Sequence, residues 1–91
     1  MYRIIDNRDS GKTSRLMLLA KENSGIIVCK NPTVMIEKAR RYGIIGIDFI
    51  SYEEFLELSF KKETPIFIDE IEDFIKFLTP TLKGYTLTKE D

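Results

Sequence analysis

Short apolar runs alternate with segments of helical periodicity along the chain, and turn residues separate them. The apolar runs have the length expected of buried strands. They lie at residues 2–5, 26–29, 47–50, 65–68 and 82–88. The second run, Ile26-Ile27-Val28-Cys29, has no charged position, which is typical of a strand covered by helices on both faces.

Apolar residues at helical spacing predict four helices between these runs, at residues 14–22, 32–42, 52–60 and 71–78. Asn31 before Pro32 is a favourable N-terminal cap for the second helix. Ser51 and Glu54 form a capping box for the third. The residues expected to point inward are Leu16, Leu19 and Ala20, with Met17 and Leu18 widening the stripe, and Met35, Ile36, Ala39, Tyr42, Phe55, Leu56, Ser59, Ile71, Phe74, Ile75 and Leu78.

The alternation of strands and helices predicts an α/β fold with a three-layer sandwich and a five-stranded, mainly parallel sheet. Connections between parallel strands are expected to be right-handed crossovers. At 91 residues the chain has the length of one domain, residues 1–91, with one modest core.

The charge balance gives no strong nucleic-acid signal, since 14 basic residues face 15 acidic ones. A cluster of Lys38, Arg40 and Arg41 fits either a polyanion contact or, more simply, a solvated helix face. The single cysteine, Cys29, excludes an internal disulfide and suits a reducing cytosol. The sequence has no histidine and so no His-based triad or His/Cys zinc site. The N-terminal run is too short for a signal peptide or membrane span, so we expect a cytoplasmic protein without membrane contact.

The polar stretch after the first apolar run contains the second half of a Walker A pattern. Its residues are Asp6-Asn7-Arg8-Asp9-Ser10-Gly11-Lys12-Thr13, and Asp6 stands where the pattern requires glycine. A strand, a loop and a helix in this order place backbone N–H groups around a phosphate. If the loop binds phosphate in this way, Lys12 neutralises the β- and γ-phosphates, and the Thr13 hydroxyl holds Mg²⁺. The alternative for these residues is an ordinary polar turn.

A second motif of the same kind lies about sixty residues downstream. Pro65-Ile66-Phe67-Ile68-Asp69-Glu70 is an apolar run that ends in two acids, the Walker B form. Asp69 is expected in the Mg²⁺ shell and Glu70 beside the attacking water. By themselves the two acids would also suit the start of a helix. Their occurrence after the Walker A stretch, at the carboxyl end of another predicted strand, favours a shared nucleotide site.

Nearly all of the chain resembles the first RecA-like lobe of superfamily 1 and 2 helicases and the ATPase of phage terminase large subunits. The likeness to compact phage-type P-loop proteins rests on both Walker motifs, on Asn31-Pro32-Thr33 after the second strand, and on the late strand at 82–88. The resemblance implies a P-loop NTPase core that binds ATP with Mg²⁺. It also implies that a threonine at the end of the late strand, Thr86 or Thr88, senses the γ-phosphate.

The Walker A loop departs from the common pattern as terminase loops do, by lacking the first glycine and carrying an arginine. By that likeness Arg8 acts as an arginine finger in cis; the alternative is a surface ion pair with Asp6 or Asp9. The phosphate-binding residues implied are Asn7, Arg8, Asp9, Ser10, Gly11, Lys12 and Thr13. The sequence has no second RecA-like lobe or nuclease domain with which to convert nucleotide closure into translocation or cutting.

The sequence therefore predicts a protein that binds ATP together with Mg²⁺ and that hydrolyses NTP at most slowly. Two other functions remain open. One is a catalytically degenerate P-loop adaptor, favoured by the acids Asp6 and Asp9 beside the phosphates. The other is an accessory protein for a partner in a nucleic-acid-processing assembly, supported only by the basic residues of the second helix.

Overall fold

A three-stranded parallel sheet lies at the centre of the fold. In the computed structural model, residues 1–6, 11–58 and 63–88 are described. The strands are β1 (Ile26–Cys29), β2 (Asp48–Ser51) and β3 (Ile66–Ile68), in the spatial order β2-β1-β3. Both neighbours run parallel to β1. The helices are α1 (Lys12–Glu22), α2 (Pro32–Arg41), α3 (Tyr52–Glu57) and α4 (Ile71–Leu78).

Successive residues of β1 pack against different helical layers, because side chains of a strand alternate between the faces of its sheet. Ile27 and Cys29 pack with buried residues of α1 and α2, including Met17. Val28 points the other way and packs with Tyr52 of α3 and Phe74 of α4. The predicted α/β architecture, with helices on both faces of a parallel sheet, is therefore confirmed.

Local capping signals set the starts of α2 and α3, as the sequence predicts. The Asn31 side chain accepts a hydrogen bond of 3.3 Å from the Val34 amide. Ser51 Oγ accepts from the Glu54 amide at 3.1 Å, and the Glu54 carboxylate accepts from the Ser51 amide at 3.2 Å. Because α3 starts at the residue after β2, this capping box fixes the turn from strand to helix.

The prediction of five strands is wrong for the described part of the chain, in which residues 2–5 and 82–88 have no strand structure. A strand requires a hydrogen-bonded partner and a face to bury, and these segments leave large apolar side chains exposed. Side-chain contacts, rather than strand pairing, attach these two segments to the rest of the fold and to each other. The Tyr2 ring stacks on Phe67 with centroids 6.4 Å apart, and the Arg3 guanidinium donates to the Thr88 carbonyl at 2.9 Å.

The inward face of α3 differs from the predicted one. Tyr52 is buried and Phe55 half-buried, three residues apart on one face, whereas Leu56 lies beside that face and is exposed. The helix ends at Glu57, and the predicted inward residue Ser59 lies outside the described residues.

Several other residues that the sequence predicts to point inward are also exposed, because each short helix buries only a narrow stripe of its surface. They are Ile36, Tyr42, Ile71 and Leu78. Among the residues whose structure is described, no helix combines the length and the apolar character needed to cross a membrane.

Met17 anchors α1 to the sheet, and its neighbour Leu18 provides a matched control because it is 49% exposed while Met17 is fully buried. Met17→Ala should lower the free energy of unfolding by about 2–5 kcal/mol, since it leaves a cavity in the core. Leu18→Ala should cost about 1 kcal/mol or less. Urea denaturation measures both values, and equal losses would contradict this packing of α1.

Candidate functional site

The carboxyl edge of the sheet carries the two motifs that the sequence singles out. The Asp69 amide donates to the Val28 carbonyl at 2.9 Å, which extends the pairing of β3 with β1 by one residue. Glu70 then occupies the N-cap position of α4, without a capping hydrogen bond from its side chain. The strand therefore delivers both acids to the edge where ligands of parallel α/β sheets bind.

Lys12, from the predicted Walker A motif, lies close to the second acid at this edge. Lys12 is the first residue of α1, and its Nζ lies 3.6 Å from Glu70 Oε1. The Lys12 side chain is 27% exposed, so its ammonium group is open to solvent rather than enclosed in the core. Gly11 precedes it with φ 85°, a left-handed conformation that favours glycine. The predicted meeting of lysine and acid pair is found.

Asp69 is the more enclosed of the two acids. Burial raises the pKa of its carboxyl group above the usual value, and the neighbouring charge of Glu70 adds to that rise. The ammonium groups of Lys38 and Lys12 lower the pKa, as does a hydrogen bond from the Thr13 hydroxyl, but burial dominates. Thr13 and Asp69, predicted to share a metal ion, thus lie next to each other.

The backbone beneath the acid pair is held from the opposite face of the sheet. The buried Tyr52 hydroxyl donates to the Asp69 carbonyl at 3.1 Å, and the Glu70 carbonyl lies 3.4 Å away. Burial, together with the charge of Asp73 and other nearby groups, raises the pKa of Tyr52 to about 12, so the hydroxyl stays protonated and able to donate. Sequence reasoning missed this residue, whose only local signal is its place at the start of a capped helix.

Glu70 has an unusual backbone conformation, with φ 58° and ψ 70°. Residues other than glycine seldom adopt positive φ, and such strain concentrates at functional sites. The conformation lets the chain turn directly from β3 into α4 and leaves the Glu70 side chain half exposed beside Lys12.

An open polar cleft of about 560 Å³ surrounds this pair. Its walls combine residues of both motifs with others from α2 and from the first turn of α4. The lining residues are Gly11, Lys12, Thr13, Lys38, Tyr42, Glu70, Glu72 and Asp73. Sequence reasoning assigned Lys38 to a solvated face and Tyr42 to the core. Their spacing of four residues, which puts both on one face of a helix, was the available signal.

The remaining residues of the predicted site fall into two groups. Asn7, Arg8, Asp9 and Ser10 lie outside the described residues, and their neighbour Asp6 forms an ion pair of 3.0 Å with Arg15 of α1. Thr86 and Thr88 are exposed and do not line the cleft, although Glu72 on its wall raises the pKa of Tyr85 in the same segment.

Comparison of the chain with protein families, with characterised proteins and with solved structures gives no match. Within the described ranges, no three His, Cys, Asp or Glu side chains converge closely enough to hold a metal ion. The chemistry of the cleft therefore has to be argued from its own groups: two lysines, several carboxylates, and a hydroxyl at the start of a helix.

Asp69→Asn should stabilise the fold at neutral pH. Because folding raises the pKa of Asp69, the free energy of unfolding falls as the pH rises from the ordinary aspartate pKa through the raised value. The variant removes that penalty, so its melting temperature should exceed that of the wild type at pH 7, and the gain should disappear near about pH 3. Asp48→Asn, at an exposed position of β2, is the control. A gain independent of pH would contradict the burial of a charged Asp69.

Tyr52→Phe should lower the free energy of unfolding by about 1 kcal/mol, the usual net value of one hydrogen bond, because the Asp69 carbonyl loses its donor. Tyr42→Phe, which alters a half-exposed ring, should change it little. Urea denaturation at pH 7 measures both variants, and an unaffected Tyr52→Phe would argue against the hydroxyl contact.

Proposed function

We propose that the cleft binds a nucleoside triphosphate, ATP in the first instance, together with Mg²⁺, and that the protein is a minimal P-loop ATPase of the helicase and terminase type. The observation that carries the proposal is the contact between the two motifs. Lys12 Nζ lies 3.6 Å from Glu70 Oε1, and the Thr13 hydroxyl lowers the pKa of Asp69, the residue before Glu70. Residues nearly sixty positions apart, Lys12 and Thr13 from one motif and Glu70 from the other, thus line one polar cleft.

The start of α1 provides the anion-binding part of this site. The first amides of a helix have no partner within it, and the helix dipole favours negative charge there. Gly11 has no side chain with which to cap those amides, and the first turn of α1 has no acidic residue. Backbone N–H groups and the Lys12 ammonium can therefore serve a phosphate together.

The donor set beside the phosphates fits magnesium. Mg²⁺ prefers oxygen ligands and is commonly held by one or two carboxylates, phosphate oxygens and water. Thr13 and Asp69 supply a hydroxyl and a carboxylate at adjacent positions. When bound there, the ion neutralises charge on the β- and γ-phosphates. The raised pKa of Asp69 would return toward its usual range next to a cation, because opposite charge favours the carboxylate.

Glu70 is the residue that would orient the attacking water. Its side chain is half exposed at the cleft, so water can reach it. Its carboxylate pairs with Lys12 at 3.6 Å. A phosphate bound to Lys12 would leave this carboxylate available to accept a proton from the attacking water.

A catalytically degenerate P-loop adaptor for a nucleic-acid-processing partner is the second candidate. The observation in its favour is the acidic surplus of the cleft, where Glu70, Glu72 and Asp73 outnumber the two lysines. Like charge weakens the binding of a polyanion. Titration with magnesium-ATP separates the two functions, because an adaptor without nucleotide binding gives no heat of binding.

Substitution of the two motif residues tests the proposal. Lys12→Ala should weaken magnesium-ATP binding by about tenfold or more, the value of one charge-assisted contact. Glu70→Gln should retain binding and lose hydrolysis by about a hundredfold or more, as expected for a general base. Calorimetric titration and phosphate release measure these effects.

Lys21→Ala is the control for Lys12→Ala, because Lys21 is exposed at the other end of α1 and does not line the cleft. Its binding should equal that of the wild type. An ATP affinity that is the same in Lys12→Ala and Lys21→Ala would overturn the assignment of the phosphate site.

A further inference from the structure

The wall that α2 contributes to the cleft contains a lysine that neither Walker motif includes. Lys38 and Tyr42 lie four residues apart on one face of α2 and line the same cleft as Lys12 and Thr13. The cleft thus has a cation on each of two different helices. A polyanion bound between them would meet positive charge from both sides.

Lys38 lines the cleft together with Glu70, the residue that follows the acid expected beside the metal ion. In the described part of the chain, Lys12 forms an ion pair with Glu70, whereas no ion pair involves Lys38. Lys38 is exposed, so its long side chain can reach a ligand without first breaking an ion pair.

The neighbouring basic residues of α2 do not share this position. Arg40 forms an ion pair of 3.1 Å with Glu37 on the helix surface. Arg41 is exposed, and neither arginine lines the cleft. Of the three basic residues, Lys38 thus lines the cleft, whereas Arg40 and Arg41 lie elsewhere on the surface of α2.

We propose that Lys38 is a second phosphate-binding residue, which contacts the terminal phosphate and makes the site prefer a triphosphate over a diphosphate. This inference rests on the proposed nucleotide binding. Its geometric basis is that Lys38 of α2 lines the same cleft as Lys12, Thr13 and Glu70, so that a triphosphate held at Lys12 would lie between the two lysines. The carboxylates of the wall make a second cation necessary for a ligand with an additional negative charge.

Calorimetric titration of magnesium-ATP and magnesium-ADP into four proteins tests the proposal: the wild type, Lys38→Gln, Arg41→Gln and Lys12→Ala. Lysine, arginine and glutamine have similar helix propensities, so both glutamine variants should fold as the wild type does. Lys38→Gln should weaken ATP binding by about tenfold and change ADP binding by less than about twofold. Arg41→Gln should leave both affinities unchanged, and Lys12→Ala should weaken both.

The possible outcomes separate this inference from the proposed function. A selective loss of ATP affinity in Lys38→Gln supports the contact with the terminal phosphate. An equal loss for both nucleotides, or a match to Arg41→Gln, overturns the role of Lys38 while nucleotide binding stands. Absence of binding in the wild type overturns the proposed function, and the inference with it.

Discussion

The parallel pairing of β3 with the central strand β1 is the interaction on which the structure depends. β1 is almost completely buried and supplies residues to both halves of the core. Its pairing with β3 continues through the hydrogen bond from the Asp69 amide to the Val28 carbonyl. That single additional bond brings the acid pair to the sheet edge in a fixed register, and every argument about the cleft follows from it. A shift of one residue would turn the acids toward the opposite face.

The site combines several features that oppose stability. A carboxylate is half enclosed, the next residue has positive φ, and two acids lie side by side. Each feature raises the free energy of the unliganded fold, and the surrounding contacts offset it: two lysines, the Thr13 hydroxyl and the buried Tyr52 hydroxyl. Strain of this kind persists where the surrounding structure over-determines it. An enclosed carboxylate followed by a residue of positive φ agrees with the proposed role of the cleft, although Ser24, which does not line the cleft, also has positive φ.

Sequence reasoning succeeded where the determining forces are local. Asn31 and the Ser51–Glu54 box predict helix starts because capping involves residues within one turn. The contact between Lys12 and Glu70 agrees with the predicted proximity of the two motifs, but no strand precedes the Lys12 turn in the described residues. The failures depend on tertiary contacts. Residues 82–88 have strand composition but no ladder. The spacing of Lys38 and Tyr42 puts both on one face of α2, but the packing of the helix decides that this face lies beside the cleft.

The N-terminal segment contacts the sheet through the stacked rings of Tyr2 and Phe67. In the described residues it forms no strand pairing with the sheet. Side-chain stacking tolerates sliding along a strand, which paired backbone does not. The location of the Gly11–Lys12 turn is consequently fixed from downstream, by the anchoring of α1 through Met17 and Ala20. The helix that follows the turn, rather than a strand before it, therefore sets the distance between Lys12 and the acids Asp69 and Glu70. Substitution of Tyr2 is therefore expected to disturb the position of Lys12 less than substitution of Met17.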